Sequence, residues 1–120
     1  MLCRPSHPGN IGAVARAMKT MGLVSGAQLF LVNPLCAIDD IAVRRASGAA
    51  DLVNDCRIVN SLAEALTDCT GAFGMTVRPR ELGPEPMQPK AAVAAAKDQW
   101  QRAGECGAIS AFVFGNETNG

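Results

Sequence analysis

Gly12 and Arg16, one helical turn apart, are the first pair of residues in this chain whose types and spacing could do chemistry. They lie in Ser6 to Gly22, where the turn Pro8-Gly9 opens into apolar positions Ile11, Val14, Ala15, Met18 and Met21 at helical spacing. A residue without a side chain lets another backbone or a ligand come close, and the guanidinium one turn on would stand beside that bare patch. The pairing reads as a site; an amphipathic helix with a purely structural role is the alternative. Asn10 is the expected N-cap and Gly22 the expected stop. The glycines form neither Gly-x-Gly-x-x-Gly nor Gly-Lys-Ser/Thr, so neither a dinucleotide fold nor a P-loop is favoured.

Composition narrows the setting. A chain of 120 residues, 48% hydrophobic, suits one soluble globular domain. No apolar run reaches membrane-spanning length, and Met1-Leu2-Cys3 followed by Arg4-Pro5 is no signal peptide, so no membrane and a cytoplasmic home are expected. Cys3, Cys36, Cys56, Cys69 and Cys106 are widely spread and His7 is the single histidine. That set predicts no metal site and no disulfide framework, only reduced, mostly buried thiols. His7 reads as a loop residue rather than a base. Eleven basic residues balance eleven acidic ones, so a nucleic-acid partner would need a local patch.

The elements that must position these residues alternate. Met1 to Arg4 reads as the tail of a clipped first strand, and 28–33 as a buried parallel strand closed by Asn33-Pro34. Asp39 to Ala50 predicts a helix with Arg44 and Arg45 on its exposed side. Arg57 to Val59 is a short strand, Ser61 to Glu64 a capping box starting a helix, and Thr70 to Met75 a fourth strand. Thr76 to Pro89 holds four prolines and must be irregular; a loop of that length is usually functional. Pro89 to Ala103 is an alanine-rich helix with Trp100 as its one large anchor and Gly104 ending it, and Ala108 to Phe114 is the last strand. The alternation predicts an α/β fold, a mostly parallel sheet with helices on both faces. Ligands of such sheets bind beyond the carboxyl ends of the strands, which gathers loops 5–10, 76–88 and 115–120 on one edge.

Three stretches carry a resemblance: Ser6 to Leu23, Leu31 to Pro34 and Phe112 to Gly120. Together they resemble the SpoU branch of the SPOUT RNA methyltransferases, closest to enzymes acting on anticodon-loop position 32 of tRNA. The likeness covers nearly the whole chain. It implies an α/β-knot fold, S-adenosylmethionine as cofactor, 2′-O-methylation of a tRNA ribose, and a homodimer whose active sites draw on both subunits. Asn10 and Arg16 match the first motif, as catalytic residues. Gly115, Glu117 and Gly120 match the second, and Met75, Thr76 and Val77 fall where the family meets the cofactor's adenosine end. Arg16, Arg78 and Arg80 would face the RNA, with Arg44 and Arg45 as further phosphate contacts or simply a solvated face. Glu117 contacts cofactor or RNA, or else fixes its own loop. A guanidinium stays protonated, so Arg16 is expected to hold a phosphate or stabilise the developing alkoxide rather than act as a base.

The family's third motif, an Asn- and Ser-rich segment leading into the last helix, is missing from this sequence. The expectation is therefore a single domain over 1–120, incomplete at both ends and truncated before the knot-forming segment, with apolar surface exposed near residues 108–114. Two other readings stay open: a non-catalytic RNA- or nucleotide-binding module, and a methyltransferase acting on ribosomal RNA or another tRNA ribose.

Overall fold

The computed structural model describes residues 1–23, 27–76, 83–104, 107–116 and 118. β1 (Leu2–Cys3) lies between β2 (Phe30–Val32) and β5 (Ser110–Phe114). β3 (Arg57–Val59) extends the sheet beyond β2, and β4 (Gly71–Met75) extends it beyond β5. The order is β3-β2-β1-β5-β4 and every pair is parallel, as the alternating pattern predicts. Leu31 pairs with Leu2, Leu2 with Phe114 and Phe114 with Met75, so these four side chains share one face.

On that face lie α1 (Pro8–Thr20), α2 (Asp40–Ala46), a 3-10 turn over Ser47–Ala49, and α3 (Ala50–Asn54). They close a core of Leu2, Ile11, Ala15, Leu29, Leu31, Ala42, Ala46, Ala49 and Val53. α5 (Pro89–Ala103) covers the same face further out, with Gln99 set over Gly71 of β4. The short α4 (Leu62–Ala65) packs on the opposite face, where Val32, Val59 and Ala65 form a smaller cluster.

The caps explain where the helices begin. His7, not Asn10, is the N-cap of α1: its backbone is extended and its Nδ1 accepts the Gly9 N–H at 3.0 Å. Pro8 and Gly9 already have helical dihedrals, so Asn10 falls inside the first turn. At the other end Leu23 N–H donates to the Met18 carbonyl and Gly22 N–H to that of Lys19, with Gly22 at φ +76°, a Schellman closure. The Glu64 amide N–H of the capping box donates to the Ser61 hydroxyl oxygen at 3.2 Å, but the Glu64 carboxylate accepts from Asn60 N–H, one residue before the cap.

Three further expectations need correction and a fourth holds in part. The helix predicted over 39–50 breaks at Ser47, whose φ of +52° turns the chain into the 3-10 segment, and helical structure resumes to Asn54. The thiols of Cys3, Cys36, Cys56 and Cys69 are half-buried rather than buried, and none forms a disulfide. Trp100 does not anchor its helix: it is 61% exposed, while Ala92 and Ala96 make the buried contact. Of the apolar surface expected near 108–114, Ile109 and Phe114 are exposed, Ala111 is buried, and Phe112 stacks on Phe73 with centroids 5.3 Å apart.

Candidate active site

A parallel sheet brings all its strand ends to one edge, and hydrogen bonds beyond the strands tie the loops there together. Arg4 N–H donates to the Val32 carbonyl at 2.8 Å, Asn33 N–H to that of Val59 at 2.7 Å, and Leu35 N–H to that of Pro5 at 2.9 Å. Arg4 and Asn33, directly after β1 and β2, both have positive φ, +52° and +46°. Such conformations are costly for residues other than glycine and concentrate at sites where tertiary contacts hold them.

β4 and β5 end in register at Met75 and Phe114, so Thr76 and Gly115 leave the sheet side by side. Met75 is half-buried and Thr76 and Gly115 are exposed, which presents backbone groups at the rim. Asn10 is exposed in the first turn of α1, the helix entered from β1 at the same rim. The structure thus gathers Asn10, Met75, Thr76 and Gly115 on one edge of the sheet. Val77, Arg78, Arg80, Glu117 and Gly120 lie outside the described residues.

Arg16 stands apart from them. It is six residues beyond Asn10 on α1, about 9 Å along the helix axis. There it lines a groove of about 300 Å³ with Lys19, Thr20, Ala46, Ser47, Gly48 and Ala49. Lys19 is committed to Asp51, with both carboxylate oxygens at 2.9 Å, and this pairing lowers the Asp51 pKa below its ordinary value of 3.8. Arg16 has no ion-pair partner among the described residues, so it is the cation this groove offers to an anion.

Gly12 settles which close approach its bare surface permits. A methyl group there would lie 2.1 Å from the Ala42 carbonyl oxygen and 2.8 Å from the Ala46 nitrogen, so the space is filled by the backbone of α2. Arg45 crosses at the same place: its Cβ would be 2.8 Å from that methyl, and its Cγ lies 3.6 Å from the Cβ position of Gly9. Helical periodicity puts Arg45 on an outer face, and its side chain is indeed exposed. Only the crossing of α1 and α2 reveals that its stem runs over the glycines beside Asn10. No signal along the sequence points to that contact.

Two of the thiols, Cys3 and Cys56, are shifted away from the reactive thiolate form. Burial pushes the Cys3 pKa above its ordinary value, with the N-terminal ammonium pulling it partly back. Burial also raises Cys56, helped by the neighbouring Asp55 carboxylate. Among the described residues no group of three or more His, Cys, Asp or Glu could hold a metal ion. No helix among them is long and apolar enough to cross a membrane.

This arrangement has close counterparts. Over all 120 residues the chain is 40% identical to the tRNA (cytidine/uridine/adenosine-2′-O-)-methyltransferase TrmJ of Pseudomonas aeruginosa, of which it spans 44%. It is 48% identical over 87 residues to the tRNA (cytidine/uridine-2′-O-)-methyltransferase TrmJ of Salmonella typhimurium, covering 72% of this chain and 34% of that protein. The chain thus spans less than half the length of these curated relatives. A probable methyltransferase from Bordetella pertussis superposes with a TM-score of 0.83 at 37% identity, over 98% of this chain and 68% of the other. TrmJ from Z. mobilis superposes with a TM-score of 0.81 at 34% identity, over 99% and 49%. A sequence profile of the SpoU rRNA Methylase family matches residues 1–120, and the chain, with its five-stranded parallel sheet, belongs to that family.

Proposed function

We propose that this chain serves the transfer of a methyl group from S-adenosylmethionine to a ribose 2′-oxygen of tRNA, in a cytoplasmic setting. The observation that carries the reading is the register Leu2–Phe114–Met75, which sets the ends of β4 and β5 beside the entry to α1 on one rim. The printed activities of the TrmJ relatives support tRNA as the substrate class and ribose as the acceptor.

The rim fits the cofactor in one respect that the chain itself displays. Two peptide segments, at Thr76 and at Gly115, leave adjacent strands in register, and paired backbone amides and carbonyls suit the edge of an adenine. Met75, Thr76 and Gly115 would hold the donor's adenosine end, together with Val77, Glu117 and Gly120. When bound, S-adenosylmethionine supplies a methyl on a sulfonium, already a good leaving group. The protein's task is then to bring the 2′-oxygen into line with that methyl. Arg16 would hold an RNA phosphate or stabilise the alkoxide as it forms, and Asn10 would orient the sugar. Because the guanidinium keeps its proton, the hydroxyl proton passes to a phosphate oxygen or to water. Arg78 and Arg80 would contact the RNA backbone, and Arg45, whose stem crosses Gly9 and Gly12, would add a further phosphate contact.

The separation of Arg16 from the rim favours a homodimer with shared sites. Within one chain the guanidinium is about 9 Å down α1 from Asn10, so a second copy presenting its rim to this groove would complete the constellation. The test uses a radiolabelled methyl donor and unmodified tRNA. Incorporation is expected, with a loss of at least about a hundredfold in Arg16→Ala, in the range removed with one preorganised oxyanion donor. No incorporation together with no binding of S-adenosylmethionine by calorimetry would reject the reading and favour a non-catalytic RNA-binding module, whereas incorporation unaffected by Arg16→Ala would keep the enzyme and remove Arg16 from its site. Mapping the modified nucleoside distinguishes the ribose at anticodon-loop position 32 from another tRNA position or a ribosomal one.

A further inference from the structure

α5 turns one face to the sheet and leaves another unclaimed. Ala92 and Ala96 are buried, and Gln99 lies over Gly71 at the start of β4. The helix therefore runs antiparallel to β4, with Lys90 toward the rim and Trp100 toward the opposite edge. Lys90, Val93, Lys97 and Trp100 follow at spacings of three, four and three residues, which aligns them in one stripe roughly 15 Å long. All four are exposed, Val93 at 58% and Trp100 at 61%. Asp98, the only acidic residue of the helix, lies on the other flank and is bound to Arg102 at 2.7 Å. Neither Lys90 nor Lys97 has an ion-pair partner among the described residues.

We infer that this stripe is a second RNA-contacting surface, with Lys90 and Lys97 taking phosphates and the indole of Trp100 receiving an unstacked base. The inference rests on the tRNA reading above. Two cations interleaved with apolar groups, and no acid among them, complement a polyanion that also offers flat aromatic faces. Two copies pairing in parallel would set lysine against lysine, and an antiparallel pairing, which sets Lys90 against Trp100, is the outcome that the concentration test below detects. The chain as a whole has no net charge, so any attraction for RNA must come from local surfaces such as this one. RNA reaching the rim would pass the Lys90 end of the stripe, whereas Trp100 would grip it on the order of 15 Å away from the chemistry. This surface would therefore tune affinity and leave methyl transfer itself untouched.

Trp100 is the only tryptophan and the chain has no tyrosine, so its emission reports on this surface alone. The protein is titrated with an unmodified tRNA transcript while Trp100 emission and the anisotropy of end-labelled tRNA are followed together. Quenching of Trp100 is expected to track tRNA saturation. The Lys90→Ala/Lys97→Ala double variant should bind tRNA about tenfold more weakly. Its log-log salt dependence should be shallower by about 1.4, the equivalent of two phosphates on a single strand. Trp100→Ala should weaken binding by about fivefold or more and Trp100→Phe much less, since a phenyl ring still stacks. In all three variants, kcat at saturating tRNA and affinity for S-adenosylmethionine should stay at the parent level. If tRNA binds with Trp100 emission unchanged and the lysine variant at parent affinity, the stripe does not touch RNA and the inference fails while the methyltransferase reading stands. Emission that shifts with protein concentration in the absence of tRNA would mark a protein interface and also overturn it. Absence of any tRNA binding would remove both readings.

Discussion

A methyl group added at Gly12 would meet the Ala42 carbonyl oxygen at 2.1 Å, a backbone atom that cannot swing aside. Gly12→Ala must therefore push α1 and α2 apart and expose part of the core around Ile11, Ala15, Ala42 and Ala46. A loss of about 3 kcal/mol or more is expected in denaturant unfolding. Gly48 provides the contrast: nothing lies within 4 Å of its Cβ position and its φ is not positive, so Gly48→Ala should change stability by no more than about 1 kcal/mol. Equal effects of the two substitutions would mean that the helix crossing is not as tight as described. The Lys19–Asp51 pair makes a second prediction at this scale. Its hydrogen bonds to Lys19 hold the Asp51 carboxyl below 3.8, so the pair's contribution to stability is present above that pH and is lost as pH falls through the folded value. Both groups are exposed, so the contribution is small. An NMR titration should find Asp51 low in the parent and returned toward 3.8 in Lys19→Ala.

At the scale of elements, α1 and α5 differ in what they bury. α1 sinks Gly9, Ile11, Gly12 and Ala15 between the sheet and α2, and both its ends are capped, by His7 and by the Gly22 closure. α5 buries only Ala92 and Ala96, and no side chain caps its start at Gln88. Its alanine-rich sequence favours the helix locally, but few apolar contacts hold it to the sheet. Amides in α5 are accordingly expected to exchange with solvent at least on the order of tenfold faster than those in the middle of α1, measured by native-state hydrogen exchange. Comparable protection in the two helices would show that α5 is held by contacts beyond those with β4. The difference in packing also explains Trp100. Large apolar side chains are expected inside, but the buried positions of α5 are held by Ala92 and Ala96, and the indole lies on the adjoining flank.

For the molecule as a whole, the parallel order β3-β2-β1-β5-β4 decides which loops meet. Strands and helices alternating along the chain made the parallel sheet legible in advance, and each of the five strands lies where apolar runs and turn residues place it. The break at Ser47 was only faintly legible: Ser47-Gly48 is a weak helix pair inside an otherwise helical run, and the positive φ of Ser47 ends α2 there. Asn10 was misread as a cap because its residue type suits that position, whereas the Nδ1 of His7 reached the Gly9 amide first. The rim carrying Asn10, Met75, Thr76 and Gly115 follows from the fold type alone, because parallel strands must all end on one edge. The placement of Arg16 in a groove with Ser47 and Gly48 does not, because it depends on how far down α1 the two helices cross. By itself, the order of residues determined the fold class, the family and the edge where chemistry belongs, since these depend on local periodicity and short motifs. Tertiary structure alone decided that Gly12 serves helix packing, that Arg45 lies over the first motif and that Trp100 faces outward, because each of these depends on distances between segments far apart in the chain.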